Sequence, residues 1–451
     1  MSLIEKIFNA GVVGCGGAGF PTHAKLNCKV EYFLINAAEC EPLLRTDRYL
    51  LLNKTKEILE AIVECAKHIR AEKTFIALKE TYIKEIEALN RAIKEMNAPV
   101  LVYLLPNYYP AGDEQMIVYE VTKRVVPPSG IPLDVGTVVS NVATMNCVFD
   151  SLNNQNFTHK YLTVTGEVAE PKVLYVPVGT SVLSCIKAAG GAVIDEYSVI
   201  NGGPLMGNQI KDDELEKAVV TKTTSGLLVL PKSCSTIKNK SMLPAQIKNR
   251  ARSACIQCSY CTQLCPRYLT GHPLQPHKIM RKMAMNNDIS EMLNDEDIKQ
   301  ALICSECGVC EVYACPMGLN PRLINKMIKQ EYQKQGIRYE KPNEDIAPRA
   351  ERENRKVYSK RIAARAGVLK YYDYNIGSCE SLQVDFVVLK LKQHVGVPSV
   401  PIVKLKEEVQ EGQLVATCPE GKLGANLHTG IAGTVVCINE EEIIIKRGAK
   451  V

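Results

Sequence analysis

Eight cysteines in two short runs are the residues whose type and spacing carry the most chemistry. Cys255, Cys258, Cys261 and Cys265 precede Pro266; Cys304, Cys307, Cys310 and Cys315 precede Pro316, with one extra residue before the last cysteine of that run. Three thiolates spaced by two residues can wrap three irons of one cubane, while a fourth next to proline points away and ligates the neighbouring cluster. The spacing therefore predicts two [4Fe–4S] clusters. Cys255, Cys258, Cys261 and Cys315 would hold one, and Cys304, Cys307, Cys310 and Cys265 the other. Zinc is the rival, because paired C-x2-C units build ribbons. A ribbon needs four cysteines, and here each run supplies four of its own with a Cys-Pro ending. No C-x2-C is followed by His, so covalent haem lacks its attachment signal. The remaining cysteines (Cys15, Cys28, Cys40, Cys65, Cys147, Cys185, Cys234, Cys379, Cys418 and Cys437) show no ligand rhythm and read as small buried apolar residues. Cys15 and Cys40 stand apart only through their position near the front of the chain.

That front segment holds the second candidate. Gly11, Gly14, Gly16, Gly17 and Gly19 crowd into GVVGCGGAGFPTHAK. Such a loop turns tightly and approaches a ligand closely, and a helix opened by Pro21 would offer unpaired N–H groups to a phosphate, with Lys25 adding positive charge. A purely structural turn explains the glycines equally well. The pattern is not the G-x-G-x-x-G placed after a strand that marks a dinucleotide fold.

The elements that must position these residues follow from periodicity. VEYFLINA, KTFIALK and VLVYLLP read as short apolar strands between the helices KTKEILEAIVECAKHIRA and YIKEIEALNRAIKEM, which predicts an α/β layer with a largely parallel sheet. Ile58, Leu59, Ile62, Val63, Ala66 and Ile69 form the buried stripe of the first helix. Between the cysteine runs, HKIMRKMAMN and DEDIKQALI read as helices, so the cluster module is expected to be a helical ferredoxin rather than the two-hairpin kind. Residues 160–232 carry short β-branched strands around the helix SVLSCIKAAGG. DIAPRAERENRKVYSKRIAARAGVLKYYD is helix-prone and basic, a solvated linker or a docking face for an acidic electron-transfer partner. The tail alternates apolar and polar residues with Gly-bearing turns.

Composition narrows the class. The 451 residues carry 55 Lys plus Arg against 49 Asp plus Glu, a net charge of +6, with 46% apolar residues. That is ordinary globular composition with no polyanion-binding excess, and nucleic-acid binding has no motif support. Apolar runs are too short for a membrane span and the start lacks a secretory pattern, so a cytoplasmic protein without a transmembrane segment is expected. Eighteen cysteines in such a compartment favour metal or redox duty over disulfides.

GVVGCGGAGFPTHAKL followed by INAAECEPLLRTDRYL resembles the NADH- and FMN-binding 51 kDa subunit of respiratory complex I, with its G-x-G-G-x-G-F-P-T-x-x-K and N-x-x-E-x-E-P patterns. NAAECEP, YPAGDEQMI (109–117), VVSNVAT (138–144), GGPLMG (202–207) and TKTTSGLLVL (221–230) are closer to the RnfC-like branch. The resemblance spans residues 11 to about 330. It implies that Gly14, Gly16, Gly17, Gly19 and Lys25 form an FMN-phosphate loop. Asn36, Glu39, Asp113, Glu114 and Asn141 would lie around the flavin, and Phe20 and Glu41 would contact the nicotinamide nucleotide. Cys15, Ala38 and Ser140 depart from complex I, which has arginine, aspartate and asparagine there.

The resemblance implies a multidomain α/β protein: an FMN- and NADH-binding domain over 1–150, a β-grasp (SLBB) domain over 155–232, a helical ferredoxin domain with two [4Fe–4S] clusters over 243–340, a basic helical linker over 341–378 and an all-β barrel-sandwich hybrid over 379–451. No lysine stands at the LHTGIAG turn of the last domain, so no lipoyl or biotinyl arm is expected. A barrel domain placed last is similar to the PduS-type cobalamin reductases of propanediol-utilising microcompartments. The implied activity passes electrons from NADH through FMN and two clusters to cobalamin, with no side chain acting as nucleophile. The alternatives are an RnfC-like NADH:ferredoxin electron-transfer component and a non-catalytic iron–sulfur carrier. The implied partners are a cobalamin-dependent enzyme system, an adenosyltransferase or a ferredoxin, with a microcompartment shell as a further one, in an oligomer or larger complex. SLIEKIFNA would be a helix packed beneath the glycine loop, or a targeting helix for a shell.

Overall fold

The computed structural model describes residues 1–286, 288–341 and 346–448. In the front part, β1 (Tyr32–Asn36), β2 (Lys73–Lys79), β3 (Leu101–Leu105) and β5 (Thr137–Asn141) form a parallel sheet in the order β3-β2-β1-β5. Phe33, Leu34 and Ile35 of β1 are fully buried, as a strand covered on both faces must be. The helices Thr55–His68 and Ile83–Met96 lie where the periodicity places them. Ile58, Leu59, Ile62 and Ile69 are fully buried, and Val63 and Ala66 pack against the same core. The first helix, Leu3–Asn9, sends Ile7, Leu3 and Ile4 into that core, so its apolar face is already used.

A six-stranded sheet follows, in the order β12-β7-β6-β10-β8-β9. Its strands are β6 (His159–Gly166), β7 (Lys172–Pro177), β8 (Tyr197–Asn201), β9 (Asn208–Ile210), β10 (Gly226–Pro231) and β12 (Cys379–Ser381). The last adds parallel to β7 from far down the chain. The cluster segment is helical, with its core beneath the helices Pro244–Ala254, Pro276–Met285 and Pro321–Lys334. Proline opens each of them, where its missing N–H costs nothing.

The tail builds two small antiparallel sheets. β13 (Phe386–Lys390), β15 (Glu408–Val409), β18 (Gly433–Ile438) and β19 (Glu442–Lys446) form one; β14 (Val400–Pro401), β16 (Leu414–Thr417) and β17 (Leu427–His428) form the other. Their apolar residues join the front part's core, Val387 and Ile445 clustering with Ile7 and Phe33. The tail is therefore packed onto the front of the chain.

The basic stretch differs from the helical linker expected over 341–378, of which 342–345 lie outside the described residues. It is a series of short turns: a 3-10 turn at Ala350–Arg355, β11 (Val357–Tyr358), a helix at Ser359–Arg365 and a turn at Leu369–Tyr371. Two of its charges, Arg352 and Lys356, are used internally, while Arg355, Arg361 and Arg365 stay exposed. Arg352 is buried and meets Glu120 at 2.7 Å, and β11 pairs antiparallel with β4 (Tyr108–Tyr109). The pairing with buried Glu120 and the β11–β4 bridge strap this stretch to the front part.

Candidate functional site

Asn36 and Asn141 are register partners at the carboxyl ends of β1 and β5. The chain runs from β1 through β2 and β3 on one side before β5 pairs on the other, so strand order reverses between them. The crevice outside the carboxyl ends at such a reversal is where open α/β sheets bind ligands. The glycine loop closes over this point, pinned by a bridge between Val13 and Pro21 and by Gly14 N–H donating to the Phe20 carbonyl at 3.0 Å. A Cβ on Gly16 would fall 2.9 Å from the Asn141 side chain, whereas one on Gly17 would meet nothing within 4 Å. Gly16 is thus required by packing, and Gly17 leaves the backbone open to a ligand. Gly19 adopts φ +75°, which favours glycine.

Around the loop the expected residues hold one another. Lys25 meets Glu114 at 2.8 Å. Asp113 caps the helix Glu114–Thr122, accepting from the Gln115 and Met116 amides. Asn36 donates to the Gly112 carbonyl at 2.9 Å and accepts from the Ala38 amide. Asn141 accepts from the Ala143 amide and donates to Asp47 at 2.8 Å, and burial pushes the Asp47 carboxyl up to about 6. Phe20 is 40% exposed. The helix opened by Pro21 is a single turn, Thr22–Lys25, shorter than a phosphate-binding helix. The open backbone at Gly17 is left as the part of the loop that a ligand could approach, and the buried Thr22 hydroxyl has no hydrogen-bond partner among the described residues. An open cradle beside Gly17, an orphaned hydroxyl and a nearby lysine fit the phosphate end of FMN.

The acidic loop divides its tasks. Glu39 accepts from the Glu41 amide at 2.9 Å, and burial, reinforced by Asp47, pushes its carboxyl up to about 8. Glu41 is enclosed. Its carboxylate accepts from the Leu205 and Met206 amides, each at 2.9 Å, and from the Tyr109 hydroxyl at 3.1 Å. A Cβ on Gly203 would strike it at 2.0 Å. The GGPLMG segment is thus shaped around this carboxylate, which burial pushes up in pKa. Glu41 ties the front sheet to the six-stranded sheet, and both its oxygens are engaged.

The cysteines gather as two cages. Cys255, Cys258, Cys261 and Cys315 line one cleft, and Cys265, Cys304, Cys307 and Cys310 line another, each set mixing both runs. Equivalent positions of the two runs adopt positive φ: Gln257 and Ser259 in the first (54° and 62°), Glu306 and Gly308 in the second (59° and 81°). These left-handed residues, three of them not glycine, curl each C-x2-C-x2-C segment around a centre. Amides also point at sulfur, from Glu306 to Cys304 and from Leu319 to Cys315, each at 3.3 Å. Burial pushes the Cys261 and Cys265 thiols up to about 12, so a bound metal would be needed to hold them as thiolates. Among the described residues no His, Cys, Asp or Glu group is drawn together for a lone metal ion. Four thiols spread round a cleft suit a cubane, in which each sulfur serves its own iron.

The cage of Cys265, Cys304, Cys307 and Cys310, hereafter the inner cage, is fastened to the front sheet. Tyr109 donates to the Cys307 carbonyl at 2.6 Å while touching Glu41. Arg267, two residues after Cys265, pairs with both oxygens of Asp113 at 2.7 and 3.0 Å. His272 meets the Val126 carbonyl at 2.9 Å. Sequence reasoning did not single out Tyr109, Arg267 or His272; the positions of Tyr109 inside YPAGDEQ and of Arg267 behind the Cys-Pro ending were the available signals.

Comparison with known proteins agrees with this construction. The Nuo51 FMN-binding domain model matches residues 7–150, the SLBB domain 161–209, the 4Fe-4S dicluster domain 254–320 and the RnfC barrel sandwich hybrid domain 378–451. Fold and site define an iron–sulfur flavoprotein oxidoreductase with an FMN-binding domain and a domain for two [4Fe–4S] clusters. The chain is 41% identical over 446 residues to cobalamin reductase PduS of Salmonella typhimurium, covering 98% of this chain and 96% of that one, and 40% identical to cobalamin reductase PduS of Citrobacter freundii at the same coverage. It belongs to the PduS family. The RnfC-type component of the proton-translocating ferredoxin:NAD(+) oxidoreductase complex of Clostridium ljungdahlii is 33% identical over 59% of this chain and 56% of its own length. A chain of the NAD+-reducing [NiFe]-hydrogenase in its H2-reduced state shares the fold at TM-score 0.50 and 21% identity, over 76% of this chain and 63% of that one. Among the described residues no helix is long and apolar enough to cross a membrane.

Proposed function

We propose that the protein reduces a corrinoid, cob(III)alamin or cob(II)alamin, with electrons from NADH. The observation that carries this reading is full-length similarity to two cobalamin reductases, combined with an inner cage fastened to the glycine-loop domain. Bound FMN supplies the conversion of a two-electron hydride donor into single-electron steps, which [4Fe–4S] clusters carry.

The chain's own residues do the positioning. Gly14, Gly16, Gly17, Gly19 and Lys25 receive the phosphate, with Glu114 holding the lysine in place. Asn36, Asn141 and Asp113 fix the crevice wall, and Phe20 offers an exposed ring to the nucleotide. Glu39 keeps a proton at neutral pH, so the crevice carries less negative charge beside an anionic dinucleotide. Glu41 holds the wall to the inner cage through Tyr109. Residues 1–150 serve NADH and FMN, 155–232 and 379–451 brace them, and 243–340 hold both cages.

Anaerobic mixing with NADH should bleach flavin absorbance, and turnover with hydroxocobalamin should exceed turnover with ferredoxin. A strong preference for ferredoxin would favour the second reading, an NADH:ferredoxin electron-transfer component, which the 33% identity to the Clostridium ljungdahlii protein supports. Absence of flavin bleaching would leave only a carrier. Residence in a bacterial microcompartment, with an adenosyltransferase or a B12-dependent enzyme as partner, is part of the same proposal and predicts co-purification with shells.

A further inference from the structure

Cys15 sits between Gly14 and Gly16 in the loop, 2% exposed, and its Sγ lies 3.8 Å from that of Cys147. Cys147 is on the helix Val142–Leu152 that Asn141 caps, one turn after Thr144, whose hydroxyl accepts from the Cys15 amide at 3.0 Å. The two thiols therefore meet where the loop is already stitched to the helix. Cys147 is half-buried and lines a polar cleft together with Asp150, His159, Tyr175, Glu411 and Arg447. Access is thus one-sided: a small polar molecule in the cleft reaches Cys147, and Cys15 lies behind it.

The geometry points to a reversible Cys15–Cys147 disulfide, formed by a low-molecular-weight disulfide that enters this cleft, which grips the glycine loop. In the first step Cys147, the sulfur that the cleft exposes, gives up its proton and attacks the small disulfide, forming a mixed disulfide and releasing one thiol; its neighbour Cys15 and burial hold the Cys147 pKa up, so this step is the slow one. Cys15 then attacks Sγ of Cys147, forming the internal bond and expelling the second thiol. Two protein thiols lose two electrons and two protons, and one small disulfide becomes two thiols. A disulfide is about 2.05 Å long, so closure pulls the sulfurs together from 3.8 Å. The loop cannot follow freely, because Gly16 already abuts Asn141. Closure therefore distorts the cradle, and flavin affinity falls.

The loss of flavin rests on the FMN assignment of the loop; formation of the bond does not. The test treats anaerobic holoprotein with glutathione disulfide, maps peptides by mass spectrometry and follows released flavin by fluorescence, with iron content as a check on the clusters. The expected result is a Cys15–Cys147 cross-link with flavin lost severalfold faster, both reversed by dithiothreitol. In C15S the expected product is a stable glutathione adduct on Cys147, and in C147S no adduct on Cys15. A lasting Cys147 adduct in the natural sequence, or no reaction at either residue, would overturn the disulfide. A cross-link that leaves flavin release unchanged would overturn its grip on the cradle. If C147S does not fold, C147A takes its place.

Discussion

The two cages share a ligand pattern and a backbone conformation, yet their surroundings are opposite. The inner cage is buried against the front sheet, with Arg322 and Glu311 paired beneath it at 2.7 Å, 7% and 3% exposed, and with Tyr109, Arg267 and His272 reaching across. The outer cage, of Cys255, Cys258, Cys261 and Cys315, is rimmed by Ile256 at 60% and Met317 at 42% exposure. The same C-x2-C-x2-C core thus serves one position packed against the front sheet and one that faces solvent. The motif fixes what is bound; the ties fix which cage lies against the front sheet and which lies toward solvent.

Removing a ligand from each cage should break the comparison most strongly. Cys310→Ser and Cys258→Ser should both drop cobalamin reduction to the rate without protein, while NADH still bleaches the flavin in each. Stopped-flow absorbance checks this, and residual turnover in Cys310→Ser would mean that the crevice reaches the outer cage directly. Next in size is Arg267→Met. It takes the guanidinium away from the mostly buried Asp113 carboxylate, which keeps only the Gln115 and Met116 amides, so the loss should stay below the roughly 3–5 kcal/mol of a fully buried pair. Denaturant unfolding should report that loss, accompanied by slower electron passage from flavin to the clusters.

His272 gives a pH test of the same seam. Burial, helped by Arg267, pulls its pKa down to about 4, against an ordinary 6.5 in the unfolded chain. Between those values the unfolded state binds a proton that the native state refuses. Stability is therefore complete above pH 6.5 and falls as pH drops toward 4, by up to about 3 kcal/mol for this one group. His272→Gln, which can still donate to Val126, should flatten that slope in pH-dependent unfolding. Smallest is Tyr109→Phe. The single hydroxyl proton is shared between the Cys307 carbonyl at 2.6 Å and Glu41 at 3.1 Å, and losing it leaves that carbonyl without this donor while Glu41 keeps the Leu205 and Met206 amides, a cost of about 1–3 kcal/mol. The melting temperature should drop modestly, and an unchanged value would mean that this bridge bears no strain.

Much of this was legible in the sequence, and the reason is local. Cysteine spacing reports which thiols can share a centre, because the wrap of C-x2-C-x2-C is set by a few adjacent backbone angles, and the structure gathers Cys315 with the first run and Cys265 with the second. Strands and amphipathic helices of the front part were readable for the same reason. What the sequence hid is long-range. Arg267 finds Asp113 across 154 positions and Tyr109 finds Cys307 across 198, and no periodicity announces such pairs. Glu41 looked like a ligand-facing carboxylate because its partners, the Leu205 and Met206 amides, are backbone groups that any sequence carries. The basic stretch misled for a similar reason: charge density suggested a solvated helix, while buried Glu120 had already claimed Arg352.

The most direct test of the order is electron paramagnetic resonance on anaerobic samples of Cys258→Ser and Cys310→Ser, frozen after a single addition of NADH. The account predicts a reduced cluster signal from the inner cage in Cys258→Ser and an oxidised, silent outer cluster in Cys310→Ser. A rapidly reduced outer cluster in Cys310→Ser, with a silent inner one in Cys258→Ser, would contradict it.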